Sequence, residues 1–240
     1  MIGSEIAVLM AAGLGTRMRP VTNNIPKPLV QVNGKPMIET LIEGLKTRGV
    51  QFFIIVTGYL SDKFDYLVNK YSGVKIVKNP DYLTVNNISS IKSVTGILSN
   101  TESDVFICEA DLYIMDSNIF LCSLESSCYF GKMVKGHSDD WVFEQDLNGR
   151  ITRVGKSGDN VFNMVGISYF KNADAKKLAD LIDKSYEKTG FENLFWDDVV
   201  NQNLSVLDLT VHEIEPNQIY EIDTVEELSN LDQSYKCYLN

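Results

Sequence analysis

The chain has 240 residues, 44% of them hydrophobic, which is enough to form one large core. Its 22 basic and 32 acidic residues give a net charge of -10, which argues against a broad surface for nucleic acid or for anionic membranes. The chain has two histidines, four cysteines without a C-x-x-C pair and no apolar run of membrane-spanning length, so it predicts a soluble, cytoplasmic protein without a zinc site or a disulfide framework.

The first half of the chain alternates between short apolar runs and helical patterns. Apolar runs at 6–10, 52–56, 74–77 and 105–108 predict buried strands, and periodic apolar residues predict helices over 36–46, 64–71 and from about 86 to 98. The fourth strand ends on Glu109-Ala110-Asp111. This alternation is typical of a parallel sheet covered by helices.

Beyond Asp111 the pattern changes to strand-like runs with little helix between them. Predicted strands lie at 129–134, 141–144, 151–154 and 164–170, followed by helices over 173–188 and 197–202, a strand at 206–211 and a final helix from 225 to about 235. Asn148-Gly149 predicts a two-residue hairpin turn. Because no linker or repeat separates the halves, the sequence predicts one α/β domain with a more antiparallel second half.

A glycine-rich turn follows the first predicted strand. It reads Leu9-Met10-Ala11-Ala12-Gly13-Leu14-Gly15-Thr16-Arg17, and Pro26-Lys27-Pro28-Leu29 follows. Small residues let backbone amides approach a polyphosphate, while Arg17 and Lys27 would supply positive charge. A plain glycine turn with solvated basic residues would explain the first six positions but does not explain the whole set.

Two familiar phosphate-binding motifs are excluded. The turn is not a G-x-G-x-x-G dinucleotide motif, because position 18 is Met18. Gly155-Lys156-Ser157 is not the end of a P-loop, because Arg150 occupies the place of the required earlier glycine. The turn therefore belongs to another kind of phosphate site.

The turn and the downstream P-K-P-L together resemble the signature of nucleotidyltransferases, which join a nucleoside triphosphate to a phosphorylated small molecule and release pyrophosphate. Over nearly its whole length the chain is similar to bacterial LicC-type CTP:phosphocholine cytidylyltransferases, with supporting stretches at 56–60, 86–90, 109–111, 195–197 and 220–223 and at Trp141. The resemblance implies a Rossmann-like nucleotidyltransferase fold, three-layer α/β/α, with a mixed central sheet and a small antiparallel acceptor-binding lobe. It also implies a single domain, 1–240, with a nucleotide-binding half of about 1–115 and an acceptor-binding half of about 116–240.

The resemblance assigns roles on the nucleotide side. It implies that Asp111 and Asp223 hold Mg²⁺ over the α-phosphate, and that Arg17 and Lys27 bind the phosphates and stabilise the charge that develops during transfer. For Asp223, which precedes Thr224 and a predicted helix, helix capping is the alternative. Nucleotide contacts are implied at Leu9, Ala11, Ala12, Gly13, Gly15, Thr16, Arg17, Lys27, Asn87, Ser90, Ala110 and Asp111.

The implied acceptor site combines aromatic walls with carboxylates, since a quaternary ammonium cannot donate hydrogen bonds. Its candidate residues are Lys27, Trp141, Tyr169, Asn193, Phe195, Trp196, Asp197 and Glu221. Tyr169 is equally well explained as a core residue. Phe195 and Asn193 stand where the phosphocholine enzymes carry a tyrosine and an aspartate, so 2-aminoethylphosphonate and phosphoethanolamine stay open as acceptors beside phosphocholine.

The sequence therefore predicts a Mg²⁺-dependent cytidylyltransferase that transfers CMP from CTP to phosphocholine, giving CDP-choline and pyrophosphate for cell-surface decoration. Its partners would be CTP and a small phosphorylated or phosphonate amine, with no nucleic acid and no membrane insertion. One alternative is a sugar-1-phosphate nucleotidyltransferase, which shares the first turn but not the aromatic and acidic acceptor set. Another is a non-catalytic nucleotide-sensing module, which we would expect to have lost Arg17, Lys27, Asp111 or Asp223. Oligomeric state and fusion to another enzyme domain are left open.

Overall fold

The computed structural model describes residues 4–239, whose strands and helices follow in chain order. The strands are β1 Glu5–Ala11, β2 Gln31–Val32, β3 Lys35–Pro36, β4 Phe52–Thr57, β5 Val74–Lys78, β6 Asp104–Glu109, β7 Leu112–Ile114, β8 Cys128–Met133, β9 His137–Ser138, β10 Val142–Gln145, β11 Ile151–Gly155, β12 Gly158–Asp159, β13 Phe162–Phe170, β14 Thr210–Glu213 and β15 Ile219–Glu221. The α-helices are α1 Met37–Arg48, α2 Tyr66–Lys70, α3 Ile88–Lys92, α4 Thr95–Asn100, α5 Asn172–Tyr186, α6 Trp196–Gln202 and α7 Val225–Leu231.

A nine-stranded mixed sheet forms the centre of the fold. Strands β5, β4, β1 and β6 are parallel neighbours in that order, and β13 continues the sheet antiparallel to β6. On its other side β13 pairs antiparallel with β8, which pairs parallel with β14. Strands β10 and β11 extend from the first residues of β13. The parallel part is the region where the sequence alternates strand and helix, as a parallel pair requires a crossover connection.

Helices cover both faces of this sheet, which confirms the three-layer α/β/α arrangement. On one face, α1 packs Leu41 and Leu45 into a core that also contains Phe106 and Phe130 of the sheet. On the other face, α3, α4, α5 and α6 pack against the sheet through a second core cluster, with Ile91, Leu98, Leu178 and Val199 among its members. The fold class therefore follows from strands that are apolar on both faces.

The predicted helix from about 86 to 98 is instead two short helices, α3 and α4. Its apolar residues are buried as expected, but the chain leaves the helical path after Ser93, where Val94 has φ -122° and ψ 5°. The Ser93 hydroxyl donates a hydrogen bond to the Ser89 carbonyl oxygen at 2.8 Å. Such a bond competes with the backbone hydrogen bonds of the helix and bends it. Periodicity therefore predicted the buried face correctly, but it did not predict the break between the two helices.

Two other predictions in the second half are corrected. The turn at Asn148-Gly149 has three residues, because the Asp146 amide donates to the Arg150 carbonyl oxygen at 2.9 Å and Gly149 takes φ +79°. The strand expected at 206–211 begins only at Thr210. Leu207 and Leu209 are buried in the core, and the Leu209 carbonyl oxygen accepts a hydrogen bond from the Ile151 amide at 2.8 Å.

The second half of the chain contributes strands to the central sheet and also forms the small antiparallel part that the sequence predicts. Strands β8, β13 and β14 belong to the nine-stranded sheet, and the antiparallel extension consists of β10–β11 and the small β9–β12 pair. The final helix is α7 followed by a 3₁₀ segment, Gln233–Tyr238. Within residues 4–239 we find no helix with the length and apolarity to cross a bilayer.

Candidate active site

Two adjacent parallel strands bring the predicted site to one edge of the sheet. Strands β1 and β6 run side by side with Met10 opposite Glu109, so the turn after β1 and the residues after β6 meet at their carboxyl ends. Ligands collect at this edge in open α/β sheets. The short strand β15 pairs antiparallel with β7, and the Ile222 amide donates to the Asp111 carbonyl oxygen at 3.4 Å. This pairing brings Asp223, from far along the chain, beside Asp111.

Lys27 connects the two aspartates. Its ammonium lies 2.6 Å from Asp111 Oδ2 and 2.6 Å from Asp223 Oδ1, and the side chain is only 10% exposed. Arg17 adds a second cation, with Nη2 2.8 Å from Asp223 Oδ1. Burial by itself disfavours the charged ammonium, but the two carboxylates outweigh burial and raise the pKa of Lys27 above its usual value. Lys27 is therefore a permanent cation between two carboxylates.

Local contacts hold the first turn in shape. Gly15 has φ +61°, and its carbonyl oxygen accepts a hydrogen bond from Thr22 Oγ1 at 2.8 Å. A Cβ at this glycine would lie 3.0 Å from the Cβ of Lys27. At Gly13, by contrast, a Cβ would meet no atom within 4 Å. Gly15 therefore allows the first turn to approach Lys27 closely, whereas Gly13 leaves space open in the cleft.

The carboxylates form a set that fits a hard divalent cation. One oxygen each from Asp111, Glu221 and Asp223 lies within 4.8 Å of the others. Within residues 4–239, Asp111 Oδ1 is buried and has no hydrogen-bond partner. Oxygen-only ligands and an unpaired buried carboxylate oxygen are what Mg²⁺ or Ca²⁺ binds. These residues therefore fit the metal site that the sequence predicts, with Glu221 added to it.

Burial, together with the crowding of negative charge, raises the pKa of two neighbouring carboxyl groups. Removal from water, followed by repulsion from Asp111, raises the pKa of Glu109 well above its usual value. Glu221 lies at the partly exposed rim, where enclosure by the cleft and then repulsion from Asp111 and Asp223 raise its pKa as well. A bound cation would reverse the repulsive part of these shifts.

Asn87 and Ser90 lie at the start of α3 and face the same cleft, together with Tyr82. The Asn87 side-chain oxygen accepts a hydrogen bond from the Trp196 amide at 3.0 Å, so this asparagine also fixes the start of α6. Ser90 Oγ accepts from the Asn79 side chain at 3.3 Å. The predicted base-reading residues are thus connected to the segment that carries Phe195.

On the opposite side of the cleft, two aromatic rings meet. The centroids of Trp141, just before β10, and Phe195, just before α6, lie 5.3 Å apart with the rings at 67°. The ammonium of Lys156, which follows β11, lies 4.8 Å from the Trp141 centroid and 4.5 Å from the Phe195 centroid. This is cation–π geometry with both rings.

Carboxylates and an amide complete this side. Asp197 is buried and accepts a hydrogen bond from the Tyr129 hydroxyl at 2.9 Å; burial raises its pKa to about 7. Asn163 donates to Asp140 Oδ2 at 3.0 Å, which leaves its own Oδ1 as a buried acceptor with no partner in the described part of the chain. This side therefore carries more hydrogen-bond acceptors than aromatic faces.

The structure brings most of the predicted residues into one cleft of about 720 Å³. Those that line it are Ala11, Ala12, Gly13, Gly15, Thr16, Arg17, Lys27, Asn87, Ser90, Asp111, Trp141, Phe195, Asp197, Glu221 and Asp223.

Five predicted residues lie elsewhere. Leu9 and Ala110 are fully buried in the core beneath the turn. The Tyr169 ring packs in the core with its centroid 4.9 Å from that of Phe106, and its hydroxyl donates to Asp104 Oδ2 at 2.7 Å.

The other two are on or near α6. Trp196 is 3% exposed and stacks on Tyr129 in the second core, because the helix turns this side chain towards the sheet while Asp197 lines the cleft. Asn193 lies on the surface of the preceding 3₁₀ turn, where its carbonyl oxygen accepts from the Asn86 side chain at 3.4 Å. Only two of the four predicted aromatic walls, Trp141 and Phe195, therefore line the cleft.

Sequence reasoning missed several residues that line the cleft: Tyr82, Glu109, Lys132, Asp139, Asp140, Lys156 and Asn163. Glu109 and the pair Asp139-Asp140 stand directly beside predicted positions and could have been found from that proximity. Lys132, Lys156 and Asn163 lie on or beside strands that approach the cleft only through the antiparallel pairing of β8, β10, β11 and β13. No local signal marks them.

Comparison with known proteins gives consistent matches. A family described as nucleotidyl transferase matches residues 6–123. The 2-aminoethylphosphonate cytidylyltransferase of Lancefieldella rimae is 50% identical over 95% of this chain and 92% of its own length, and the choline-phosphate cytidylyltransferase of Streptococcus pneumoniae is 39% identical over 96% and 98%. The solved structure of CTP:phosphocholine cytidylyltransferase from Streptococcus pneumoniae matches with a TM-score of 0.86 at 36% identity, covering 97% of this chain and 100% of that one.

Proposed function

Because the chain belongs to the nucleotidyl transferase family, we propose that it transfers CMP from CTP to 2-aminoethylphosphonate, or to a small phosphonate or phosphate with the same primary-amine head, and releases pyrophosphate. The chain is a nucleotidyltransferase of the cytidylyltransferase type.

One observation carries the choice of acceptor: Tyr169 and Trp196 pack in the core, so only two of the four predicted aromatic walls, Trp141 and Phe195, line the acceptor side of the cleft. A trimethylammonium head donates no hydrogen bonds and depends on surrounding aromatic faces. A primary ammonium donates three hydrogen bonds and needs acceptors. Carboxylates at Asp139, Asp140 and Asp197 and the free amide oxygen of Asn163 supply them.

On the nucleotide side, the chain binds and neutralises a triphosphate. Small residues of the first turn leave backbone amides accessible to phosphate oxygens, and Arg17 and Lys27 compensate their charge. Asn87 and Ser90 face the same cleft from α3 and would contact the base and ribose. Asp111 and Asp223, with Glu221 within reach, would hold Mg²⁺, which supplies charge neutralisation at the α-phosphate.

The transfer itself needs no protein nucleophile. A phosphonate oxygen of the acceptor attacks the α-phosphorus of CTP, and the bond from that phosphorus to the bridging oxygen breaks. Pyrophosphate leaves with the electron pair. The residues of this chain therefore act by orienting two anions in line and by stabilising the charge that develops between them.

A pyrophosphate-release assay with CTP, Mg²⁺ and a panel of acceptors tests the proposal. The panel contains 2-aminoethylphosphonate, phosphoethanolamine, phosphocholine and glucose 1-phosphate. We expect the highest kcat/KM with a primary-amine acceptor, and the product is identified by mass spectrometry. Activity with glucose 1-phosphate alone would show that the acceptor assignment is wrong.

Phosphocholine is the second candidate, and one observation favours it. Trp141 and Phe195 present two ring faces at 67° to each other, which is part of a cage for a quaternary ammonium. The choline-phosphate cytidylyltransferase of Streptococcus pneumoniae is also similar to this chain over nearly its full length. The ratio of kcat/KM for the two acceptors decides between them.

A further inference from the structure

The aromatic pair on the acceptor side of the cleft is covered by a cation of the chain itself. Lys156 Nζ lies 4.8 Å and 4.5 Å from the ring centroids of Trp141 and Phe195, while the centroids are 5.3 Å from each other. The three distances form a nearly equilateral triangle. The ammonium therefore sits in the corner between the two rings, where a bound quaternary ammonium would have to sit.

The lysine reaches this corner from an exposed turn. It follows the last residue of β11, and the Ser157 carbonyl oxygen beside it accepts a hydrogen bond from Arg153 Nη2 at 2.8 Å, which holds the turn against the hairpin. Within residues 4–239, no carboxylate oxygen lies within 4.0 Å of Lys156 Nζ. The two rings are thus the principal partners of this ammonium.

We propose that Lys156 is a specificity-determining residue: by occupying the corner between Trp141 and Phe195, it excludes a trimethylammonium head from the acceptor site and leaves the site to primary amines. This inference rests on the proposed cytidylyl transfer to an amine-bearing acceptor. It adds a residue that discriminates between two acceptor classes.

The discrimination follows from what each head group needs. A trimethylammonium requires the ring faces, so it must first displace Lys156, and the displaced charge stays close enough to repel it. A primary ammonium is smaller and finds hydrogen-bond acceptors elsewhere in the cleft, at Asp140, Asn163 and Asp197. Lys156 therefore weakens the binding of a trimethylammonium head and leaves the hydrogen-bond acceptors of a primary ammonium accessible.

A set of three variants tests the proposal. Lys156→Ala opens the corner, and Lys156→Arg keeps a cation that stacks on aromatic rings. Lys132→Ala removes another lysine on the acceptor side of the cleft, one without a ring contact. For each variant, kcat/KM is measured for phosphocholine and for 2-aminoethylphosphonate. We expect Lys156→Ala to shift the ratio towards phosphocholine by about tenfold, mainly through KM, and Lys156→Arg to keep the wild-type ratio.

Lys132→Ala is the matched control, since it removes the same charge from the same cleft. It should change both acceptors by a similar factor. If Lys156→Ala also lowers kcat/KM for both acceptors by one common factor, Lys156 binds the phosphate or phosphonate shared by the acceptors, and the proposal is wrong.

A binding measurement gives a readout that does not depend on turnover. Free choline carries the quaternary head without a phosphate, so it reports on the rings alone. Its binding is followed by the fluorescence of Trp141, with the buried Trp196 as a constant background. We expect choline to bind Lys156→Ala about tenfold more tightly than the wild type; equal affinities would overturn the proposal.

The two proposals fail in different ways. If wild-type protein turns over neither amine, the proposed function is wrong, while choline binding still decides the role of Lys156. If the wild type prefers 2-aminoethylphosphonate and the ratio is unchanged in Lys156→Ala, the acceptor proposal stands and the role of the lysine is refuted.

Discussion

The two sides of the cleft are built in different ways. The nucleotide side comes largely from one short stretch, Ala11 to Lys27, in which small residues expose the backbone and one glycine with positive φ positions a lysine. The acceptor side is assembled from strand and helix ends that are distant in sequence, and it presents individual side chains to the cleft, such as those of Trp141, Lys156, Asn163 and Asp197.

This difference explains how one fold can serve several acceptors. A phosphate site made of backbone amides and two cations depends on the path of the chain, so few substitutions are compatible with it. A head-group site made of separate side chains can change one residue at a time without altering the sheet. Substitutions on the nucleotide side should therefore affect every acceptor alike, and those on the acceptor side should change the ratio between acceptors.

The largest effect should come from the carboxylates between the two sides. Asp111→Asn or Asp223→Asn should lower turnover by about 1000-fold with every acceptor, because the carboxylates are the proposed Mg²⁺ ligands and several kcal/mol of charge stabilisation depends on the metal. Pyrophosphate release at increasing Mg²⁺ measures the loss. Glu215→Gln, at an exposed turn, is the matched control. Turnover close to wild type in either variant would refute the metal role.

Lys27→Met should lower turnover by about 100-fold and also destabilise the protein without metal. Removing this ammonium leaves Asp111 and Asp223 facing each other in a largely buried place, which costs about 3 kcal/mol. Because Mg²⁺ supplies the missing charge, it should raise the melting temperature of the variant more than that of the wild type.

The control for this variant is Lys35→Met, which removes a half-exposed ion pair with Glu43. It should cost less than about 1 kcal/mol and show no dependence on Mg²⁺. A Lys27→Met protein whose melting temperature ignores Mg²⁺ would contradict the placement of the metal between the two aspartates.

Substitutions at two glycines of the first turn should separate an effect on CTP binding from an effect on the stability of the fold. At Gly13 a Cβ meets no protein atom within 4 Å and would project into the cleft, so Gly13→Ala should raise the KM for CTP by about tenfold at an unchanged melting temperature. At Gly15, with φ +61° and Lys27 Cβ at 3.0 Å, Gly15→Ala should cost about 1–2 kcal/mol of stability. Equal effects of both variants on stability would show that the conformation of the turn does not depend on Gly15 more than on Gly13.

Asp197 should make acceptor binding depend on pH. Burial raises its pKa to about 7, so the carboxyl is neutral below that pH and becomes a carboxylate, which attracts an amine, as the pH rises. The KM for 2-aminoethylphosphonate should therefore fall a few-fold between about pH 6 and about pH 8. Asp197→Asn should retain only the dependence that comes from ionisation of the phosphonate, and identical profiles for both proteins would exclude this role.

The smallest effect is expected at Tyr169. Because its ring lies in the core and its hydroxyl donates to Asp104, Tyr169→Phe should cost about 1 kcal/mol of stability and leave the KM for every acceptor unchanged. Chemical denaturation and steady-state kinetics measure the two quantities. A raised KM for an acceptor would show that Tyr169 contributes to acceptor binding.

The sequence predicted the two sides of the cleft unequally well. Arg17 and Lys27 could be named from the glycine turn and the P-K-P-L motif. Asp111 and Asp223 could be named only through the resemblance to the family, because a turn or cap role explains each of them locally. On the acceptor side the same reasoning placed Trp196 in the site, although the helix directs it into the core and presents its neighbour Asp197 to the cleft. A motif gives the position of a segment but not the direction of each side chain.

The sequence by itself determined the strand–helix alternation of the first half, the glycine turn proposed to bind phosphate and the family, because these depend on contiguous residues and on their periodicity. Only the tertiary structure decided what faces the acceptor. Asn163 and Lys156 reach the cleft through the antiparallel pairing of β10, β11 and β13, and that pairing depends on contacts between strands that no single segment encodes. The proposed head-group site therefore depends on the pairing of strands, whereas the glycine turn and the cations of the proposed phosphate site come from one stretch of chain, Ala11 to Lys27.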